Sequence, residues 1–393
     1  MTFPDLTDEE QLLVEAVARF VEERVRPNVT ELERQGAYPE ALVAEMKALG
    51  LFGMAVPVAF GGLGLRVPAL AAMMEVLARG WATLAAYVNS HGTVAYAIAT
   101  YGTDDQKARF LPGLASGDHR GSLCLTEPGG GSDLQAIRGA VVAQDGGYGL
   151  SASKTYVTNG GRATLFLTLA RLPQADATAR PRFGMFLVER SRPGVSQTTT
   201  FHKTAFGLVD TVQIEMDAVP LTATDLLGGD EGKGFAQLME VLEIGRIAIA
   251  ASAVGLAANA LSEALRYSAE RVTFGVPINR HQAIQLKLAN MATRLVTARL
   301  ITREAARIKQ DGGRCDMISA MAKMHASDEA LAVAHEAVVV HGGAGYIQDY
   351  TVERLHREAL LYTIGEGTND INRLVISRRM QGDEEMAWLG LLP

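Results

Sequence analysis

The sequence has only two cysteines, Cys124 and Cys315, in a chain of 393 residues. So few cysteines exclude a disulfide framework and a cysteine-rich zinc site, and they favour a reducing compartment. The eight histidines are scattered without metal-ligand spacing, so no metal site is expected. No run of about 18 uninterrupted apolar residues occurs, so we expect no integral membrane segment.

No stretch is dense in lysine or arginine, and the balance of 37 basic against 44 acidic residues gives a net charge of −7. A duplex nucleic-acid binder needs a basic surface, so nucleic acid is not an expected partner. The first residues, MTFPDLTDEEQ, are acidic and lack an apolar core and an Arg/Ser bias. We therefore expect a cytoplasmic protein of bacterial type, or a mitochondrial-matrix protein if a transit peptide has been removed.

The composition is that of a globular protein, with 48% hydrophobic and 21% charged residues, and the length suggests two or three domains. The hydrophobic pattern changes twice along the chain. We predict an α+β multi-domain fold: an N-terminal α-helical domain (1–120), a middle antiparallel β domain (121–230) and a C-terminal four-helix-bundle-like α-helical domain (231–393).

Local signals support these three parts. Thr7 and Glu10 form a predicted capping box at the start of the first helix. Short runs rich in β-branched and aromatic residues, such as Phe183–Val188, predict strands, and no helical pattern separates them. A parallel βαβ sheet is therefore disfavoured. The apolar residues of the C-terminal part then recur at helical spacing from Ile284 to Leu295, and the Ala-rich stretch Ile247–Ala269 predicts a long buried helix.

Four segments contain candidate functional residues. The glycine-rich segment Thr126–Asp133 exposes backbone N–H groups that could bind an anion, although it lacks the P-loop pattern and could be a plain turn. In Lys154–Gly160, strand alternation puts Tyr156 and Thr158 on one face, where they suit a flat heterocycle or simply cover a sheet.

The third segment, Arg271–Gly275, is followed by Gln282; Arg271 could neutralise a diphosphate, but surface arginines are common. The fourth places Glu366 between two glycines, just before a helix that we expect Thr368 to cap. A carboxylate on so uncrowded a loop could approach a ligand, or it could be an ordinary exposed glutamate. A serine hydrolase is not supported, because no G-x-S-x-G motif occurs.

These segments occur together and in one order, and with them the chain resembles the acyl-CoA dehydrogenase family along essentially its whole length. Each motif alone is weak, whereas their ordered combination is specific. The family's α/β/α fold agrees with the three predicted parts. The segments that carry the resemblance are Tyr101–Thr103 with Gln106 and Lys107, Thr126–Asp133, Lys154–Gly160, Arg271–Gly275 with His281 and Gln282, His341–Gly345, and Gly365–Thr368.

The resemblance implies FAD bound between the β domain and the C-terminal helices. It places Leu125, Thr126 and Ser132 beside the flavin or the neighbouring substrate, and Tyr156 and Thr158 against the ring system. Many members carry Trp where Tyr156 stands, and a tyrosine keeps the aromatic face.

The resemblance also implies contacts from a neighbouring subunit. Arg271, Phe274 and Gln282 match contacts to the diphosphate and adenine side of FAD, and Gly342 and Gly343 match the backbone that joins them. The family is commonly a homotetramer built from dimers, so we expect one here.

Glu366 matches the family's catalytic base. Some relatives place the base on the long helix just before the arginine matched by Arg246, but that neighbour here is Gly245, which cannot ionise. Glu243 and Arg246 match positions near the CoA or acyl portion, although Arg246 could be a structural ion-pair partner. Burial should raise the pKa of Glu366 and the helix start should lower it, which leaves the net direction open. The other implied contacts are Thr368 and Asp370 to the cofactor, and Gly367 and Ser132 to the substrate.

We therefore expect an FAD-dependent acyl-CoA dehydrogenase that forms trans-2-enoyl-CoA and passes electrons to an electron-transferring flavoprotein. Two alternatives are a flavin oxidase or monooxygenase on the same fold, and a non-catalytic assembly protein. One departure is that the family's early Pro-Glu-x-x-Gly-Gly stretch has Val58 in place of the glutamate.

Overall fold

The computed structural model describes residue 3 and residues 5–144, 146–174 and 180–390. Met1 and Pro393, the outer limits of the predicted domains, lie outside these residues. Among the described residues, six α-helices precede the first strand. They are α1 (Asp8–Phe20), α2 (Val29–Gln35), α3 (Glu40–Ala48), α4 (Val67–Gly80), α5 (Ala82–Tyr101) and α6 (Asp104–Ser116).

Local capping starts two of these helices. The Glu10 backbone N–H donates to Thr7 Oγ1 at 3.2 Å and the Thr7 N–H donates to Glu10 Oε2 at 3.0 Å, which is the predicted capping box. Thr103 and Gln106 form a second box at the start of α6. The Gln106 amide also donates to the Leu226 carbonyl oxygen at 2.7 Å, so the cap ties α6 to the segment that follows the sheet.

The helical region from residue 67 to residue 101 is divided into α4 and α5. The break is at Trp81, whose backbone is extended (φ −158°, ψ 115°). The Trp81 indole is buried and donates to Glu33 Oε1 at 2.8 Å. This tertiary contact holds the turn, and helical periodicity alone does not reveal it.

The middle of the chain forms a curled sheet whose strand order is β1-β4-β2-β3-β7-β6, with β5 paired to β4. The strands are β1 (Gly121–Cys124), β2 (Ala140–Gln144), β3 (Gly147–Thr158), β4 (Leu165–Arg171), β5 (Phe183–Glu189), β6 (Val195–Thr200) and β7 (Thr211–Thr222). The ladders β2–β3, β3–β7, β4–β5 and β6–β7 are antiparallel, as predicted. The prediction of an antiparallel sheet is wrong for two pairings of β4, which is parallel to β1 and, at Ala140 and Arg171, to β2. The β2–β3 hairpin lies between β1 and β4 in the sequence, and it provides the long connection that this parallel pair needs.

The rest of the chain is mainly helical. Its elements are α7 (Gly234–Glu270), the hairpin β8 (Val272–Thr273) and β9 (Val276–Pro277), α8 (Gln282–Gln310), α9 (Asp316–His341), α10 (Thr351–Ile364), α11 (Asn369–Arg379) and α12 (Asp383–Trp388). Met291 and Leu295 of the predicted stripe on α8 are buried, and Ile284 packs against the same core.

Helix α7 lies at the centre of the molecule, in contact with α4, α5, α8, α9 and α10. Gly255 permits the close approach of α4, because a Cβ there would clash with the Glu75 carbonyl oxygen. By length and composition α7 could cross a membrane, but 78% of its most apolar 18-residue window is buried inside the fold. That burial is the pattern of a core helix. The predicted catalytic loop packs against α7.

Candidate active site

The loop between α10 and α11 presents Glu366. Helix α10 ends at Ile364, and Glu366 and Gly367 both have left-handed backbones (φ 54° and 83°). Thr368 caps α11 as predicted, and its hydroxyl accepts from the Ile371 N–H at 3.3 Å. Asp370 lies in the first turn of α11, where it pairs with Arg373 at 3.1 Å on the surface. A positive φ is unfavourable for glutamate, so the loop holds this side chain in a strained, defined direction.

The Glu366 carboxylate lies directly over Gly245 of α7. A Cβ on Gly245 would be 2.9 Å from Glu366 Oε2 and 3.1 Å from Cδ. The missing side chain therefore provides the space that the carboxylate occupies. Burial raises the pKa of Glu366; the charges of Arg246 and Lys323 and the Asn89 side chain favour the ionised form without cancelling that effect. The net shift of the Glu366 pKa, whose direction the sequence leaves open, is thus an increase.

Lys323 of α9 holds the loop between α10 and α11 through hydrogen bonds. Its ammonium group is fully buried and donates to the Gly367 carbonyl oxygen at 2.8 Å and to Asn369 Oδ1 at 2.9 Å. The Asn372 amide donates to the same Gly367 oxygen at 2.9 Å. Burial lowers the pKa of Lys323 to about 8, although the Glu366 carboxylate favours its charged form. These bonds hold the residue that follows Glu366.

Arg246 and Glu243 lie on α7 beside Gly245 in the sequence, and Arg246 is near enough to Glu366 for their charges to interact. Glu243 is buried and forms an ion pair with Lys309 at 2.8 Å. Arg246 is also buried, and its Nε has no hydrogen-bond partner within the described part of the chain. Burial lowers the pKa of Arg246, while Glu366 and Glu243 oppose that shift. A buried, unpartnered guanidinium N–H suits a ligand that brings an acceptor.

An apolar cavity adjoins the carboxylate. It lies between α4, α5, α7 and the loop after α3, and its volume of about 400 Å³ includes space that is open to solvent. Asn89, which interacts with Glu366, lines it, and so does Ile244, the neighbour of Gly245. The remaining lining residues are Leu51, Phe52, Met54, Ala55, Leu70, Met74, Val88, Gly92, Thr93 and Ala248. An apolar group that enters this cavity would contact Asn89, whose side chain interacts with Glu366.

A buried ion pair organises the glycine-rich segment. Lys154 is fully buried on β3, and its ammonium group donates to Glu127 Oε1 at 2.8 Å and to the Leu125 carbonyl oxygen at 3.1 Å. The Thr155 N–H donates to the Thr126 oxygen at 2.8 Å. These bonds hold the glycine-rich segment beside Tyr156. Ser132, in the same segment, is exposed.

Tyr156 departs from the simple strand alternation that we expected. The register of β3 against β7 shifts between Lys154 and Val157, and Tyr156 has a φ of 56°. This β-bulge re-aims the side chain. The Tyr156 residue is 64% exposed, and its ring lies 5.1 Å from that of Phe201. Thr158 is only partly exposed, at the end of β3.

The third predicted group lies on and beside the short hairpin that follows α7. Phe274 and Gly275 both have positive φ (50° and 81°) and form the two-residue turn between β8 and β9. Phe274 is 97% exposed, and Arg271 and Gln282 are exposed beside this hairpin. The Arg271 guanidinium has no protein partner among the described residues. Among the described residues, no ring contact or hydrogen bond joins these side chains to Tyr156.

Gly342 and Gly343 lie beside this hairpin. Tyr267, one turn before Arg271, stacks on His341 with ring centroids 4.2 Å apart. His341 directly precedes Gly342, so the two segments are neighbours. A Cβ on either glycine would meet no atom within 4 Å, so the backbone here is open to approach.

These features fit a flavin dinucleotide. An exposed aromatic ring suits a flat ring system, an unpaired arginine and open backbone suit a diphosphate, and Gly129 also leaves open space where a Cβ would stand. Six described non-glycine residues have a positive φ, and three of them are the predicted site residues Tyr156, Phe274 and Glu366. Such backbone strain concentrates at functional sites.

Sequence reasoning did not assign roles to Asn89, Lys323 or the Glu127–Lys154 pair. Asn89 and Lys323 lie on helices distant in sequence from Glu366, and neither belongs to the segments singled out as functional. The sequence signal for Lys323 is that it lies within a stretch of α9 rich in small and apolar residues. A lysine buried there needs partners.

Comparison with known proteins gives three matched family regions. They are described as "Acyl-CoA dehydrogenase, N-terminal domain" (residues 7–118), "middle domain" (122–219) and "C-terminal domain" (232–381). The chain is 37% identical to an "Acyl-CoA dehydrogenase" of Bacillus subtilis, over 96% of this chain and 99% of the relative.

Solved structures agree with the sequence matches. Butyryl-CoA dehydrogenase from Megasphaera elsdenii superposes with a TM-score of 0.90 at 34% identity, covering 97% of this chain and 100% of that one. A chain from a structure described as an electron transferring flavoprotein of Acidaminococcus fermentans gives a TM-score of 0.92 at 34% identity. That match covers 98% of this chain and 100% of the other.

Proposed function

Because the chain belongs to the acyl-CoA dehydrogenase family, we propose that it oxidises the Cα–Cβ bond of an acyl-CoA thioester to the trans-2-enoyl-CoA. The family consists of flavoproteins and the enzyme is an oxidoreductase acting on CH–CH bonds. The cofactor, the catalytic base and the partners of this chain are proposed below. The observation that carries it is the Glu366 carboxylate, held over Gly245 beside an apolar cavity.

Glu366 is proposed to remove the α-proton. The α-hydrogen of a thioester is a weak acid, so the base must be close, correctly directed and not too weakly basic. Its raised pKa makes Glu366 a stronger base than an exposed glutamate. The positive φ and the Lys323 bond to Gly367 fix the direction of the side chain. An acyl chain that fills the adjoining cavity would exclude water and bring its α-carbon to the carboxylate.

FAD is the proposed cofactor, and it supplies the acceptor for the hydride that leaves the β-carbon. Leu125, Thr126, Ser132, Tyr156, Thr158, Thr368 and Asp370 of one subunit are proposed to hold it, with Arg271, Phe274, Gln282, Gly342 and Gly343 of a neighbouring subunit. The exposure of Phe274 and Arg271 in the single chain supports that division.

Arg246, Gly367 and Ser132 are proposed to contact the substrate. The unpartnered Arg246 N–H supports this for the substrate side of the carboxylate. For Glu243 we propose only a contact at the edge of the CoA-binding side, because its carboxylate is already paired with Lys309.

The proposed assembly is a homotetramer built from two dimers, in the bacterial cytoplasm, with an electron-transferring flavoprotein as the acceptor. The shared cofactor contacts require at least a dimer. The structural neighbour described as an electron transferring flavoprotein supports the choice of acceptor.

The decisive experiment uses the FAD-loaded enzyme and the Glu366→Gln variant. We expect acyl-CoA to bleach the flavin of the wild type anaerobically, and the variant to remain folded and yellow with a bleaching rate at least about 10³-fold lower. A variant with full activity would remove Glu366 as the base. In a parallel reaction under air, wild type that reduces O₂ to hydrogen peroxide in a 1:1 ratio with the enoyl product would instead be an oxidase. Wild type that takes up no flavin would be the non-catalytic alternative.

A further inference from the structure

Helix α5 lines the apolar cavity with one face. The residues of this face are Val88, Asn89, Gly92 and Thr93, which share one side of an α-helix. Gly92 lies in the middle of that face. It sits one turn from Asn89, which interacts with the Glu366 carboxylate.

Gly92 has no packing reason to be glycine. A Cβ built there meets no atom within 4 Å. Every other glycine inside a described α-helix has a neighbour that a Cβ would crowd; these are Gly80, Gly113, Gly234, Gly245 and Gly255. Glycine also weakens a helix interior relative to alanine. The space beside Gly92 is therefore kept open at the expense of helix propensity.

The surroundings of this space are uncharged. Among the described residues that line the cavity, the polar side chains are Asn89 and Thr93 and the others are apolar. Met54 and Met74 are flexible and can adapt to different shapes. A carboxylate at the far end of an acyl group would lose its hydration here without finding a cation.

We propose that Gly92 is a specificity-determining residue that keeps the acyl cavity wide enough for uncharged branched or aryl acyl groups. The inference rests on the proposed function, since it names the acyl group that the enzyme takes. Gly92 itself does no chemistry, and the side chain it lacks leaves room for the substrate beside Glu366.

The test is a substitution series at Gly92 in the FAD-loaded enzyme. Gly92→Ala and Gly92→Val are compared with wild type on butyryl-, isovaleryl-, 3-phenylpropionyl- and glutaryl-CoA by anaerobic flavin bleaching. One added methyl group in an apolar pocket changes selectivity by about tenfold or more. We expect kcat/KM for the isovaleryl and 3-phenylpropionyl substrates to fall by that factor in Gly92→Ala and further in Gly92→Val. Butyryl-CoA should change little, and glutaryl-CoA should be the poorest wild-type substrate.

A stability measurement separates this effect from misfolding. Gly92→Ala should keep or raise the Tm, because alanine favours the helix. Thr100→Ala, at an exposed position of the same helix, is the control and should leave selectivity unchanged. A parallel fall for all substrates, no fall for the bulky ones, or efficient use of glutaryl-CoA would overturn the inference.

Binding distinguishes this inference from the proposed function. Calorimetry with the Glu366→Gln variant, with and without Gly92→Val, reports affinity without turnover. A selective loss of affinity for 3-phenylpropionyl-CoA in the double variant supports the role of Gly92 even if no substrate were oxidised by wild type. Equal affinity in both variants contradicts that role even if wild type proves to be a dehydrogenase.

Discussion

A Cβ on Gly245 would lie 2.9 Å from Oε2 of Glu366, so the absent side chain on α7 and the carboxylate on the loop after α10 occupy complementary space. The two positions exclude each other sterically, because a side chain at position 245 would displace the carboxylate at position 366.

Gly245→Ala should therefore impair catalysis without unfolding the protein. The methyl group forces the carboxylate to move by a few tenths of an ångström or more, and small displacements of a catalytic group can lower the rate by about 10²-fold. We expect kcat to fall by that order while the Tm changes little, as measured by flavin bleaching and thermal unfolding.

A double-variant cycle provides the control. Glu366→Asp shortens the side chain and should relieve the contact, so the effects of Gly245→Ala and Glu366→Asp on kcat should not add. Additive losses would mean that residue 245 acts on activity by another route.

Lys323→Met should shift the pH dependence of the reaction. Glu366 is a base only when ionised, so kcat/KM should fall as the pH drops through its raised pKa. The Lys323 charge favours the ionised form, and its loss should raise the pKa of Glu366 further and move this acid limb to higher pH. Because the pKa of Lys323 is about 8, this lysine is mostly charged only below that pH. The difference between wild type and Lys323→Met should therefore appear in that pH range.

Lys323→Arg is the companion variant. It keeps the charge but fits the buried space poorly, so it should lower kcat with a smaller shift of the limb than Lys323→Met. An unchanged limb in Lys323→Met would show that this lysine supports the loop only structurally.

The Lys154→Met variant should be strongly destabilised. Removal of one partner leaves the Glu127 carboxylate buried without its cation, which costs about 3–5 kcal/mol. Because Lys154 also holds the Leu125 carbonyl, we expect FAD content to fall together with the free energy of unfolding. Denaturant unfolding and the flavin absorbance per chain measure both effects.

The control for that variant is Lys47→Met. Its ion pair with Asp118 is also 2.8 Å long but lies on the surface, and such pairs contribute about 0–1 kcal/mol. The double variant Lys154→Met/Glu127→Gln should recover part of the lost stability. Equal losses for Lys47→Met and Lys154→Met would contradict the account of the buried pair.

The sequence predicts those features of the fold that depend on local chemistry. The Thr7 and Thr368 caps and the glycines around Glu366 are properties of a few consecutive residues, and the structure contains the predicted caps. The Tyr156 bulge is different, because the register shift depends on the partner strand β7. The contacts of Asn89 and Lys323 arise only when α5 and α9 pack around α7, and no local pattern encodes that arrangement.

Phe274→Ala should leave the stability of the flavin-free chain almost unchanged and weaken FAD retention. Phe274 is 97% exposed in the single chain, and substitutions at such positions usually change the free energy of unfolding by no more than about 0.5 kcal/mol. If the ring meets FAD of a neighbouring subunit, its loss should reduce the flavin content and the rise in Tm that FAD produces.

Phe206 is the matched control: it also has a positive φ, but it is only 3% exposed, so Phe206→Ala should cost about 3–5 kcal/mol with or without FAD. Size-exclusion chromatography with absorbance at flavin and protein wavelengths reports assembly and FAD content together. Full FAD retention by Phe274→Ala would remove this residue from the proposed shared cofactor site.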